Sequence, residues 1–304
     1  MQNRGQYKGV MYAVVAGVMW GILAVALKIT LNIYDLSPFT IVWFRFSIAF
    51  LLLAVILLVN RPKLFRVFYK PPLKLVGAAL CLGFNYYSYM MGLDYTSPST
   101  AQVFTQAGPV LFAIAGIIIF NEKINWKHIL GFFIVLVGFC MFYWEQVGAI
   151  ANQKHYLIGV SWVLISAVAW VFYAIWQKEL AQKYSTNQLN LFIYGLCSVA
   201  FLPGVQLHGF SSLDFPGWLL VLFLGLNTLI AYGAIAISFR FLESSKVSVI
   251  ITMNPIITFG IMYVFYLCNI HLIAFEHFSV IGMVGAIIAL FGSAFVIFFA
   301  QKKR

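Results

Sequence analysis

The chain has 304 residues, of which 63% are hydrophobic and 9% charged, and its formal net charge is +11. Ordinary soluble domains carry about 25% charged residues, so a water-soluble fold is excluded and an all-α integral membrane protein is predicted. A spanning helix needs about 20 apolar residues; ten of them leave room for short connections and two tails, and none for an extramembrane catalytic or DNA-binding module.

The first predicted span, 8–31, follows Arg4 and Lys8. It is longer than the apolar region of a signal peptide and lacks a clear cleavage site, so it is expected to be retained. Trp20 lies about 12 residues past Lys8, roughly 18 Å deep, too deep for an interface anchor. The second span, 38–59, opens at Ser37-Pro38 and carries Arg45, roughly 10 Å from the outer surface. Arg45 either takes a structural role, snorkelling outward or bonding loop carbonyls, or attracts a substrate carboxylate. The basic stretch from Arg61-Pro62 to Pro71-Pro72 cannot continue a helix.

The third span, 74–93, places Asn85, Ser88 and Tyr89 on one face. Asn85 is about 16 Å below Lys74, near the bilayer centre. The link to the fourth span, 99–120, is so short that the two form an antiparallel hairpin. Gln102, Gln106 and Pro109 follow at i, i+4 and i+7 on one face, and the proline permits a bend. The remaining predicted spans are 128–145, 156–179, 187–206, 216–239, 247–268 and 277–300. The sixth carries Trp170 and Tyr173, and the ninth carries Ser248, Thr252 and Pro255. Weaker candidates are Asn227, Tyr232 and Asn254. Intramembrane polar groups face the protein interior. There they serve either helix–helix hydrogen bonding, worth about 0.6 kcal/mol on average, or a cavity.

Basic residues predict the orientation. With the N-terminus in the cytoplasm, 16 of the 19 lie in inside segments, Lys28 and Lys154 outside, and Arg45 within span two. Both termini are then cytoplasmic.

The halves match each other. Gly9, Val10, Val18, Trp20, Ala24 and Lys28 recur 150 residues later as Gly159, Val160, Val168, Trp170, Ala174 and Lys178. Ser99, Val103 and Pro109 recur 146 residues later as Ser245, Val249 and Pro255. Five spans per half invert the second half, so ten transmembrane helices form two inverted five-helix repeats. Secondary transporters use this design, with the site near the bilayer midplane. The residues expected to line it are Trp20, Asn85, Tyr89, Gln102, Gln106, Trp170, Tyr173 and Thr252. Amides and hydroxyls suit the polar end of a small zwitterion or amphiphile, and rings suit its apolar end.

Taken together, Gly17-x-x-Trp20 with Lys28, Arg45-Phe46, Gly92-Leu93-Asp94-Tyr95-Thr96-Ser97, Pro109, Glu122, and Gly131 with Gly138 resemble the EamA family of the drug/metabolite transporter superfamily. The resemblance covers essentially the whole chain and implies EamA-like repeats at 1–150 and 151–304. The pseudo-equivalent of Glu122 in the second half is Cys268. The family implies export or exchange of small metabolites, often amino acids.

No G-x-x-x-x-G-K-[ST] loop, H-E-x-x-H pair or G-x-S-x-G elbow occurs, so neither cofactor, metal nor catalytic residues are expected. The alternative is an integral-membrane enzyme acting on a lipid or lipid-linked substrate. Cys81, Cys140, Cys197 and Cys268 read as small apolar residues. The expected partners are a small-molecule substrate and the bilayer, not nucleic acid. The chain is expected as a monomer or homodimer in a bacterial inner membrane.

Overall fold

A computed structural model describes residues 2–122, 126–150, 154–273 and 280–299. Lys123, Lys302, Lys303 and Arg304, which enter the count of basic residues above, lie outside the described residues.

Twelve α-helices are present among the described residues: α1 (Gln2–Tyr34), α2 (Pro38–Asn60), α3 (Leu73–Tyr95), α4 (Pro98–Phe104), α5 (Ala107–Phe120), α6 (Trp126–Ile150), α7 (Lys154–Leu180), α8 (Thr186–Phe201), α9 (Phe215–Phe241), α10 (Ser244–Ile251), α11 (Asn254–Leu267) and α12 (Val280–Phe299). Their starts are chemically set. Ser37 accepts the Thr40 N–H ahead of Pro38, Ser97 the Thr100 N–H ahead of Pro98, and Asp214 the Gly217 N–H. Each pairs one of the donors that a helix start leaves free.

The fourth and ninth predicted spans are each two helices. Pro109 has no N–H to offer the Thr105 carbonyl, which takes the Gly108 N–H at 3.0 Å instead. The preceding turn tightens, with Gln106 N–H donating to the Val103 carbonyl at 2.8 Å. Pro255 has the same effect: Met253 N–H donates three residues back, to Ile250, at 3.3 Å. The second member of each pair ends near an asparagine in the left-handed region, Asn121 (φ 52°) and Asn269 (φ 51°), a conformation asparagine tolerates well.

The principal packing partners are distant in sequence. α3 lies along α7, α1 along α9, α2 against α8, α5 against α10 and α6 against α12, while α1 also meets α11 and α5 meets α7. Glycines permit the tightest crossings. A Cβ on Gly92 of α3 would sit 2.9 Å from the Gly159 carbonyl oxygen of α7, and one on Gly159 3.1 Å from that of Gly92.

Six helical segments among the described residues are long and apolar enough to cross a membrane: Gly5–Tyr34, Pro38–Asn60, Pro98–Phe120, His155–Leu180, Phe215–Phe241 and Ser244–Leu267. A seventh is reached if the 3₁₀ turn Pro62–Phe68 and α3, which meet at 87°, count as one. Val55 on α2 and Ile118 on α5 are 61% and 72% exposed. Aliphatic faces of this kind need lipid rather than water around them. The protein is an integral membrane protein.

Candidate functional site

A cavity of about 80 Å³ lies between α1, α2, α3, the two broken segments, α7 and α9. One water needs about 10–15 Å³, so the space takes several waters or a small solute. Both helix breaks reach it: Thr105, Gln106, Gly108 and Pro109 from the first, Ile251 and Asn254 from the second. Backbone bent by proline is tolerated at membrane depth where it lines a cavity.

Aromatic rings form one wall. Trp20 of α1 and Trp170 of α7 meet edge to face, with centroids 6.1 Å apart and planes at 86°. Tyr232 of α9 packs on Trp20 at 5.2 Å, and Phe112 supports Trp170 from behind at 5.7 Å. Edge-to-face packing fixes such rings more firmly than area alone.

Amides form the second wall and are themselves held. Gln102 donates its Nε2–H to the Trp20 carbonyl at 2.7 Å. Gln106 donates to the Gln102 carbonyl at 2.9 Å. Asn85 donates to the Ser166 carbonyl of α7 at 2.8 Å. The Tyr89 hydroxyl, Gln106 Oε1 and Asn254 Oδ1 are buried, line the cavity and have no hydrogen-bond partner among the described residues. A buried polar atom left unpaired costs about 1–3 kcal/mol, so these atoms are poised for water or a ligand.

Among the described residues, Arg45 is the one charged residue lining the cavity. It neither snorkels nor bonds loop carbonyls: it is 2% exposed, donates from Nε to Thr228 Oγ1 at 3.1 Å, and lies over the Tyr86 ring at 4.1 Å. No carboxylate pairs with it among the described residues.

Of the eight residues predicted to line a site, Trp20, Asn85, Tyr89, Gln102, Gln106 and Trp170 lie around this cavity. Tyr173 and Thr252 do not. Tyr173 packs behind Tyr232, centroids 5.7 Å apart, and Thr252 turns its hydroxyl onto the Val249 carbonyl at 2.6 Å. Sequence reasoning passed over Tyr86 and ranked Tyr232 and Asn254 low. The one signal available for Tyr86 was its place between Asn85 and Tyr89 in the third span.

A second polar cluster lies at the end of α5. Lys178 lies two residues from the end of α7, yet it is buried. It donates to Glu122 Oε1 at 2.5 Å and to Ser244 Oγ at 2.8 Å. Glu122 also accepts the N–H groups of Ser244 at 2.8 Å and Ser245 at 3.3 Å, at the start of α10. Burial alone would raise the Glu122 carboxyl. The Lys178 ammonium and the hydrogen bonds from Lys178 and Ser244 outweigh it and hold the group below its ordinary value. Lys28, 150 residues earlier, donates to the Leu93 and Asp94 carbonyls, both at 2.9 Å, just ahead of α4.

An all-helical membrane protein with a small polar and aromatic cavity enclosed by its own bent helices is built as a membrane transporter. The chain belongs to the EamA-like transporter family, whose model matches residues 7–144 and again 157–298. A Haemophilus influenzae protein described as an uncharacterized transporter is 30% identical over 94% of this chain and 93% of its own length. The Escherichia coli K12 uncharacterized inner membrane transporter YhbE is 30% identical over 94% of this chain and 90% of its own. A solved crystal structure with 17% identity superposes with a TM-score of 0.74 over 98% of this chain and all of the other, which shows the shared fold.

Proposed function

We propose that the protein is a secondary transporter, an exporter or exchanger, that moves small metabolites by alternating access through the cavity between its halves. In this reading the segments counted from α1 make ten spans, with α4–α5 and α10–α11 each one broken span. Residues 1–150 and 151–304 are inverted repeats. The bilayer is a bacterial inner membrane, as in the name of the Escherichia coli relative, and both termini are cytoplasmic. The substrate site comprises Trp20, Asn85, Tyr89, Gln102, Gln106 and Trp170, with Tyr173 and Thr252 as its supports.

The observation that carries this reading is the exchange symmetry of the packing. Replacing each span by the one five places away turns the α3–α7 contact into α9–α1, the α1–α11 contact into α7–α5, and the α2–α8 contact into itself. Details follow the same exchange. Gly9 abuts Phe241 and Leu242 where Gly159 abuts Tyr95 and Thr96. Asn227 of α9 donates to the Met19 carbonyl of α1 at 2.7 Å, as Asn85 of α3 donates to α7. Two such halves can trade conformations, which opens a shared site to each side in turn. The enzyme alternative has no comparable support: among the described residues lining the cavity none is arranged as a nucleophile with its base.

Substrate counterflow in proteoliposomes tests the proposal. Liposomes preloaded with a metabolite mixture should take up labelled members of that mixture transiently above equilibrium. Lipid turnover by purified protein without any counterflow would sink it.

A further inference from the structure

From the charge and hydrogen-bonding inventory of the cavity, we infer that its substrate is a small organic monocarboxylate bearing a hydroxyl or similar donor, docked through Arg45. This rests on reading the cavity as the substrate site. Arg45 is the single charge there among the described residues. A guanidinium has five N–H donors, and among the described residues Arg45 uses one of them, on Thr228. The Tyr86 ring below its plane, 4.1 Å away, stabilises the cation without neutralising it. A buried cation without a counter-ion is costly, and no carboxylate of this chain answers it among the described residues.

A carboxylate ligand supplies the missing negative charge and two acceptors in the geometry that guanidinium binds best. The net charge of the ligand matters as much as its carboxylate. A monoanion brings the cavity to neutrality. A zwitterion leaves it at +1 in a low-dielectric space, and a dianion leaves it at −1. Opposite in chemistry to Arg45 are two acceptors without partners among the described residues, Gln106 Oε1 and Asn254 Oδ1. They call for a donor on the substrate, and the nearby Tyr89 hydroxyl serves either role. Trp20 and Trp170 leave the remaining surface for a short apolar body.

The test uses an isosteric series on purified protein: 2-hydroxyisocaproate (anion), leucine (zwitterion) and 2-hydroxyisocaproamide (neutral). They share a carbon skeleton and differ in charge. Binding of radiolabelled 2-hydroxyisocaproate, competed by the other two, should rank the anion tighter by about tenfold or more, the effect of one charge-assisted contact. Arg45→Gln should lose that preference, Arg45→Lys should keep part of it, and Lys74→Gln at a surface pair should leave it unchanged. Equal binding of acid and amide, preference for leucine, or no binding of the acid would overturn the inference. The ligand ranking on unaltered protein decides the matter even if Arg45→Gln does not accumulate. Counterflow of the same compounds separates the two readings. Binding of the acid without counterflow defeats transport but keeps the anion site; counterflow of leucine without the acid keeps transport and defeats the anion site.

Discussion

Glu122 and Lys178, 56 positions apart in sequence, meet at 2.5 Å and bind the end of α5 and the end of α7 to the first turn of α10. Both side chains are close to nine-tenths buried. Removing one partner of a buried pair strands the other, at about 3–5 kcal/mol. Glu122→Gln keeps an acceptor for the Ser244 N–H, so a loss of about 3 kcal/mol is expected. Adding Lys178→Met should cost less than the two single effects summed, because the stranded charge is gone. Strict additivity in thermal melts would show that the pair is not coupled.

The same contact sets a pH dependence. The Glu122 carboxyl is held below its ordinary value, so its contribution is complete above the unfolded carboxylate pKa of about 4.3 and is lost as pH falls through the lower folded value. Melting temperatures of wild type and Glu122→Gln should therefore differ most at neutral pH and converge in acid. A gap that stays constant to the lowest accessible pH would refute the assignment.

Accessibility tests the cavity. In a background lacking Cys81, Cys140, Cys197 and Cys268, Gln106→Cys should react with a hydrophilic methanethiosulfonate reagent in membrane vesicles. Val55→Cys, exposed on the apolar face of α2, should not, because lipid excludes the reagent. Inert Gln106→Cys in a protein with normal counterflow would mean that this face is packing.

Close glycine contacts predict where bulk is forbidden. Gly92→Val must push α3 from the backbone of α7, which it would approach to 2.9 Å, and should destabilise by about 1–3 kcal/mol. Gly233 and Gly260 have nothing within 4 Å of an added Cβ. Their alanine variants should be neutral or slightly stabilising, since alanine is the better helix former. Equal melting temperatures for all three would show that the crossing is not constrained.

Reporter fusions test orientation. A fusion within the Lys63–Lys70 segment should read cytoplasmic and one at Lys154 external, following the distribution of basic residues. Matching signals from both would break the ten-span reading.

Much of this organisation was legible because membrane sequence is punctuated simply. Ser37-Pro38 and Ser97-Pro98 start helices by local chemistry that needs no tertiary context. Trp20 and Trp170 could be linked through their spacing, and the polar face of Gln102 and Gln106 through helical period. Three-dimensional adjacency was not legible. Tyr86 sits one residue past Asn85, about 100° around the helix, and only the positions of α2 and α9 turn it toward Arg45. Tyr173, three residues past Trp170, was also expected to line the site, yet its ring packs against Tyr232. Nothing local to Lys178, near the end of α7, reveals that Glu122 will be beside it.

The dependence of each helix on distant partners has a consequence for biogenesis. Arg45 is synthesised 183 residues before its hydrogen-bond partner Thr228. At about 5–20 residues per second that is a wait of roughly 10–40 s. During that interval the nascent first half holds an unanswered guanidinium, unpaired amides and open glycine grooves, exposed to lipid, to the insertion machinery and to quality-control proteases. A chain stopped at residue 150 should then be cleared from the membrane rather than accumulate, and co-expressing residues 151–304 should extend its lifetime by supplying the missing faces in trans. Equal lifetimes with and without the second half would mean that the first half shelters its own polar groups while it waits.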